Sequence, residues 1–145
     1  MQKLKAMFCP MFFLLLVACS DDPNNKVENE VIDAVSNGTW RITYFYDSDV
    51  DKTSTYQEYI FTFGSGNLLT AKKTSTIQSG LWNISDTNDN VDTLDDLRFN
   101  ITYNTPVEFE LLMNDWKITE YSLTKIKLTD VNDTGGDDYL TFEKN

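Results

Sequence analysis

Trp40-Arg41-Ile42-Thr43-Tyr44-Phe45-Tyr46 is the stretch that decides the fold of this 145-residue chain. Apolar side chains at positions 40, 42, 44 and 46 alternate with Arg41 and Thr43. A period of two is typical of a β-strand that buries one face. The stretch therefore predicts a strand whose Trp40, Ile42 and Tyr44 side chains point into a core.

Similar runs follow along the chain, with turn residues between most of them. They lie at about 59–63, 68–73, 77–84, 97–103, 116–122, 126–128 and 140–142. Gly64-Ser65-Gly66-Asn67 is typical of a hairpin loop, and residues 85–96 have no core pattern. No predicted helix is long enough for a parallel crossover. The sequence predicts an all-β fold, an eight-stranded antiparallel up-and-down barrel, because eight such strands can close on themselves.

One short helix is predicted before the first strand. Val27, Val31, Ile32 and Val35 recur at helical spacing, and Asn37-Gly38 is a typical helix stop. We expect an amphipathic helix over about 27–35 that packs on the barrel as a lid or plug.

The junction between this helix and the first strand resembles a known family. Asn37-Gly38-Thr39-Trp40-Arg41-Ile42 resembles the Gly-x-Trp signature of lipocalins, and the segments 114–118 and 139–144 resemble lipocalin-like domains of bacterial lipoproteins. The resemblance implies that Gly38 and Trp40 form the barrel floor, where an Arg near the last strand usually packs on the Trp. The last strand here offers Lys144 instead, and Arg41 or Arg98 are the substitutes.

The resemblance also implies a pocket for a small hydrophobic or amphipathic molecule. An eight-stranded barrel is just wide enough to be packed solid or to hold one small ligand. Both alternatives stay open, as a ligand-binding barrel or as a packed module that docks a protein partner through its acidic loops at 47–55 and 85–96. The candidate cavity residues are Trp40, Ile42, Tyr44, Tyr59, Phe61, Phe63, Trp82 and Phe99.

The N-terminus has the layout of a secretory signal. Lys3 and Lys5 precede an apolar run, 8–18, that is shorter than the roughly 20 residues needed to span a bilayer. Leu16-Val17-Ala18-Cys19 resembles the lipobox of bacterial lipoproteins. That resemblance implies cleavage between Ala18 and Cys19, acylation of Cys19 with chains such as palmitate, and a lipid-anchored protein of the bacterial outer membrane, periplasmic or surface-exposed.

These features divide the chain into three parts. Residues 1–18 form the predicted signal peptide, 19–26 an acylated flexible tether, and 27–145 the lipocalin-like domain. Ser20-Asp21-Asp22 resembles an export signal that sends some lipoproteins to the cell surface. A plain acidic linker explains the same residues.

Composition narrows the function. The formal net charge is −11, which disfavours nucleic acid as a partner. The chain has no His, and its two Cys, at 9 and 19, lie in the N-terminal segment. Because the commonest general base and the thiol nucleophile are missing from the predicted domain, we expect a non-enzymatic protein without a cofactor.

One acidic segment resembles the calcium-binding loop of an EF-hand. Asp47, Asp49, Asp51 and Glu58 fall at positions 1, 3, 5 and 12, but Lys52 occupies the sixth position, where Gly is required. A second series, at 86, 88, 90 and 92, has Leu97 as its twelfth residue. Solvated acidic loops are the ordinary explanation, and no metal site is expected.

Overall fold

The computed structural model describes residues 26–88, 93–104, 106–131 and 136–145. The predicted signal peptide, most of the tether and the predicted lipid attachment at Cys19 lie outside these residues. The helices are α1 (Lys26–Ser36), α2 (Thr53–Tyr56) and α3 (Val107–Glu110), and the strands are β1 (Trp40–Asp47), β2 (Val50–Asp51), β3 (Ile60–Phe63), β4 (Leu68–Lys73), β5 (Thr76–Asp86), β6 (Leu97–Tyr103), β7 (Asn114–Tyr121), β8 (Lys125–Asp130) and β9 (Asp138–Lys144).

The strands close into one antiparallel barrel. From β3 to β9 each strand pairs with the next in sequence. The circle closes where β1 pairs with β9 along most of its length and with β3 at Trp40 opposite Phe61. The short β2 adds to β1 outside this circle. The predicted eight-stranded antiparallel barrel is confirmed, and its closure between β1 and β3 is made by the single pair Trp40–Phe61.

Helix α1 closes one end of the barrel, called here the helix end. Val31 and Val35 are fully buried, and the Trp40 indole Nε1 donates a hydrogen bond to the Val35 carbonyl oxygen at 2.9 Å. Gly38 turns the chain from α1 into β1 with a φ of +86°, a conformation that favours glycine. The predicted short helix is confirmed, and it packs on the barrel rather than standing free.

The alternation of buried and exposed side chains along β1 shifts by one residue halfway along the strand. Ile42 pairs with Phe142, but Tyr44 pairs with Thr141, so Thr43 is an extra residue in a β-bulge. Beyond the bulge Phe45 is fully buried and Tyr44 is 43% exposed. The expectation that Tyr44 points into the core is wrong, because a period of two predicts facing only while the register is constant.

The opposite end, called here the loop end, is covered by α2 and α3. A tight turn between β1 and β2 uses Ser48 and Asp49, both with positive φ, in the manner of hairpin turns that match strand twist. Lys52 follows, and α2 then carries Tyr56 into the core, where it is fully buried. Neither β2 nor α2 is predicted by the sequence pattern.

Candidate functional site

The centre of the barrel is occupied by aromatic rings. Phe61, Phe63 and Phe99 are fully buried, as is Phe142 on β9. The centroid of the Phe63 ring lies 5.3 Å from that of Phe99 and 5.3 Å from that of Phe142, and the Phe61 and Phe142 ring centroids are 5.4 Å apart. All three pairs meet edge to face, the favoured geometry for aromatic contacts. These rings fill the middle of the interior with their own contacts.

Tyr59 lies at the loop end and precedes β3 instead of belonging to it. Its ring packs edge to face on Phe109 of α3, with centroids 5.1 Å apart, and the Lys73 ammonium lies 5.7 Å from the Tyr59 ring centroid. Phe109 also packs 4.7 Å from the Tyr103 ring. Tyr59 is therefore part of the cover of the loop end rather than the lining of an open mouth.

Two buried phenols lie beneath that cover. The Tyr56 hydroxyl donates a hydrogen bond to the Glu108 carbonyl oxygen of the segment that forms α3. The Tyr103 hydroxyl is buried without a hydrogen-bond partner among the described residues. Burial raises the pKa of both phenols well above its ordinary value. Both therefore stay neutral through the physiological range.

A cleft opens at the helix end, between α1, the β3–β4 turn and β5. Its volume is about 210 Å³. Ile32, Trp82 and Ile84 supply apolar surface, and the rings of Trp82 and Phe63 are 5.5 Å apart, so the cleft borders the aromatic core. The Trp82 indole Nε1 donates to the Gly64 carbonyl oxygen at 3.1 Å. We call this site the Trp82 cleft.

Polar residues complete the lining of the Trp82 cleft. They are Ser36, Ser65, Asn67 and Asn83. The Asn83 side chain is held by a residue that does not line the cleft, because its Oδ1 accepts a hydrogen bond from Asn100 Nδ2 at 2.6 Å. Apolar surface beside a few polar groups is the usual make-up of a small-molecule site. No carboxylate or ammonium is among these described lining residues, so the cleft suits an uncharged or weakly polar group.

The predicted cavity residues thus separate into groups. Phe61, Phe63 and Phe99 form the filled centre, together with Ile42. Trp40 lies beneath α1, and Trp82 borders the cleft. Ile84 was not predicted to line a cavity, although it follows the same inward alternation as Trp82. The exposed polar lining was not predicted either, because it has no periodic signal.

The acidic series at 47–58 does not converge. Asp51 accepts a hydrogen bond from the Thr53 backbone N at 2.9 Å, and hydrogen bonds from Thr53 hold the pKa of this carboxyl below its usual range. Glu58 pairs instead with Lys73 on β4. Among the described residues, no group of three or more His, Cys, Asp or Glu side chains is placed to hold a metal ion. Residues 90 and 92 of the second series lie outside the described ranges.

In the described part of the chain, no helix has the length and apolar character needed to cross a bilayer. Comparison with models of known protein families and with curated proteins finds no match to this chain.

Proposed function

We propose that this protein is a non-enzymatic binding protein of the bacterial cell envelope that takes a small amphipathic molecule in the Trp82 cleft. The observation that carries the proposal is the contrast between the two parts of the interior. Aromatic rings occupy the centre of the barrel, whereas the helix end keeps about 210 Å³ of space beside Trp82.

The size of the cleft sets the class of ligand. Sites for drug-sized ligands measure roughly 300–1,000 Å³, so the Trp82 cleft suits a smaller molecule, such as an aromatic compound of indole size or a short alkyl chain. The apolar part would lie on Ile32, Trp82 and Ile84, and a polar end would face Ser36 and Asn83.

Lipid on Cys19 is the proposed means of attachment. The lipobox-like residues 16–19 support it, together with the short apolar run before them. A single acyl chain binds a membrane marginally, and additional chains make the attachment firm. The first described element, α1, covers the helix end of the barrel. The tether would therefore place this end nearest to the lipid.

Binding can be tested on the indole N–H signal of Trp82 in an ¹H–¹⁵N spectrum. The other two indole N–H groups are buried and hydrogen bonded, Trp40 to the Val35 oxygen and Trp116 to the Leu112 oxygen. Titration with indole and with 1-octanol should shift the Trp82 signal in a saturable way and leave the other two in place.

Ser36→Phe provides the matched variant. Ser36 is exposed on α1 and lines the cleft, so a ring there should fill the site without disturbing the core, and the shift should disappear. Ser75→Phe, in the β4–β5 turn at the opposite end, should leave binding unchanged. Saturable binding that persists in Ser36→Phe would place the ligand elsewhere, and no shift across both probes would remove the binding proposal.

The filled centre supports a second candidate, a packed barrel that acts as a protein-interaction module. Its predicted docking elements are the acidic loops at 47–55 and 85–96. The first of these is ordered by a hydrogen bond from the Ser48 backbone N to Asp138 Oδ1 at 2.8 Å. Capture of a partner from envelope extracts by the wild-type chain, lost in Asp49→Lys but kept in Ser36→Phe, would favour this candidate over ligand binding.

A further inference from the structure

One broad face of the barrel differs from the rest of the surface. The outward side chains of β3 to β6 include Ile60, Leu68, Ile77 and Leu81, which are between 45% and 57% exposed. Leu68 lies directly opposite Leu81 on the neighbouring strand, and Lys72 lies opposite both Ile60 and Ile77. We call the outward surface of these four strands the aliphatic face. Grouped exposed aliphatic side chains are unusual on a monomer, where such residues are mostly scattered singly.

Charge sets the aliphatic face apart more sharply. The chain has 23 acidic residues, yet among the described outward side chains of β3 to β6 none is Asp or Glu, and the two charged ones, Lys72 and Arg98, are basic. The opposite side of the barrel has the usual solvated pattern of ion pairs. There Lys125 pairs with Glu143 at 2.8 Å and Lys127 with Glu120 at 2.6 Å.

We propose that the aliphatic face is the contact surface between two copies of this chain. Two molecules of net charge −11 repel each other. An approach through α1, through the acidic turns or through the β7–β9 side brings carboxylates together. Contact through the aliphatic face removes apolar surface from water and keeps the described carboxylates of both copies at its border.

The arrangement of the face fits a two-fold contact. Thr70 and Ser79 are paired at the middle level of β4 and β5, and Leu81 and Ile77 lie on either side of that level. A two-fold axis that crosses the strands there places Ile77 of each copy on Leu81 of the other. Leu68 then covers the alkyl stem of Lys72 from the second copy, and the two Lys72 ammonium groups stay well apart. This reciprocity is what an isologous dimer requires.

Salt distinguishes this contact from an electrostatic one. A dimer joined by ion pairs weakens as salt rises, because the pairs are screened. A dimer joined by an aliphatic face without carboxylates, between two acidic bodies, strengthens, because salt screens the repulsion and leaves the apolar contact. Self-association that increases with added NaCl is therefore the expected signature.

The test is sedimentation of the full-length chain in a density-matched mild detergent, over a range of protein and NaCl concentrations. We expect a monomer–dimer equilibrium for the wild type. Leu81→Asp should raise the dimer dissociation constant by at least about tenfold, because the carboxylate loses its water in the contact. Leu123→Asp is the matched control: Leu123 is 70% exposed in the β7–β8 turn, away from the face, and its change should leave the equilibrium as it was.

A charge-pair rescue tests the geometry. Ile77→Lys should weaken the dimer, and the double variant with Leu81→Asp should restore it, because the new charges lie four residues apart within one copy but meet across the axis. Unchanged thermal unfolding of each variant shows that the barrel is intact. A wild type that stays monomeric at high protein and salt, equal effects of Leu81→Asp and Leu123→Asp, or no recovery in the double variant would overturn the proposal.

Discussion

The Lys144 ammonium lies 4.9 Å from the centroid of the Trp40 ring. The two residues are paired directly across β1 and β9, and the Lys144 side chain also covers Gly38, where an added Cβ would lie 3.4 Å from Cε. Lys144 thus packs on the Trp40 indole. Neither proposed substitute does so, because Arg41 is exposed and Arg98 donates to the carbonyl oxygens of Asp95 and Leu97.

Replacing this lysine should lower the stability of the barrel. Lys144→Met keeps most of the alkyl stem and removes the charge over the indole, so the free energy of unfolding should fall by about 0.5–2 kcal/mol. Lys144→Arg should retain most of this stabilisation, because a guanidinium stacks on aromatic rings. Urea unfolding measures both variants, and a double-mutant cycle with Trp40→Leu isolates the contact. A coupling free energy near zero in that cycle would contradict the assignment.

The period-two runs predicted the strands well because a barrel buries one face of each strand. From β4 to β9 the observed strands begin and end within a few residues of the predicted runs. The prediction failed at Tyr44, because the bulge there is set by pairing with β9, some hundred residues away. It also missed β2 and α2, which are too short to show a period.

The candidate site could be predicted in part. Inward aromatic side chains follow from alternation, and Phe61, Phe63 and Phe99 are buried. Whether they fill the barrel depends on ring packing between strands, which no local pattern encodes. The Trp82 cleft brings together α1, the β3–β4 turn and β5. Its lining is a product of tertiary structure and has no contiguous sequence signal.

Gly80 is required by the ring opposite it. On β5, Gly80 pairs with Tyr103 of β6, and an added Cβ would lie 2.3 Å from the Thr102 carbonyl oxygen and 2.8 Å from Tyr103 Cδ1. Because the Thr102 carbonyl oxygen belongs to a paired strand, it cannot move without distorting the sheet. Gly80→Ala should therefore lower the free energy of unfolding by about 1–3 kcal/mol. Gly66→Ala, where nothing lies within 4 Å of the added Cβ, reports the cost of positive φ alone. A Gly80→Ala variant as stable as the wild type would rule out the steric explanation.

The buried phenols predict a loss of stability at high pH. Burial raises the pKa of Tyr103 and of Tyr56 in the folded state. The unfolded chain releases these protons near pH 10, so the stabilisation is complete below about pH 10 and declines as the pH rises further. Chemical unfolding followed from neutral to alkaline pH should show this decline.

Tyr103→Phe should make the alkaline decline shallower. The variant removes one raised pKa together with a hydroxyl that has no partner among the described residues. At neutral pH its free energy of unfolding should be unchanged or higher by about 1 kcal/mol. Tyr56→Phe is the matched control, because it loses the hydrogen bond to Glu108 and should be less stable by about 1 kcal/mol. A Tyr103→Phe variant as unstable as Tyr56→Phe would show that the Tyr103 hydroxyl has a partner.

The proposed lipid anchor makes a prediction that is independent of the barrel. Cys19→Ala should abolish labelling by radioactive palmitate and release the protein from the membrane fraction, because the acyl chains are the proposed means of attachment. Cys9→Ala is the matched control, since that thiol lies in the segment predicted to be removed and should leave both readouts unchanged. Membrane retention of an unlabelled Cys19→Ala protein that has lost residues 1–18 would place the anchor elsewhere in the chain.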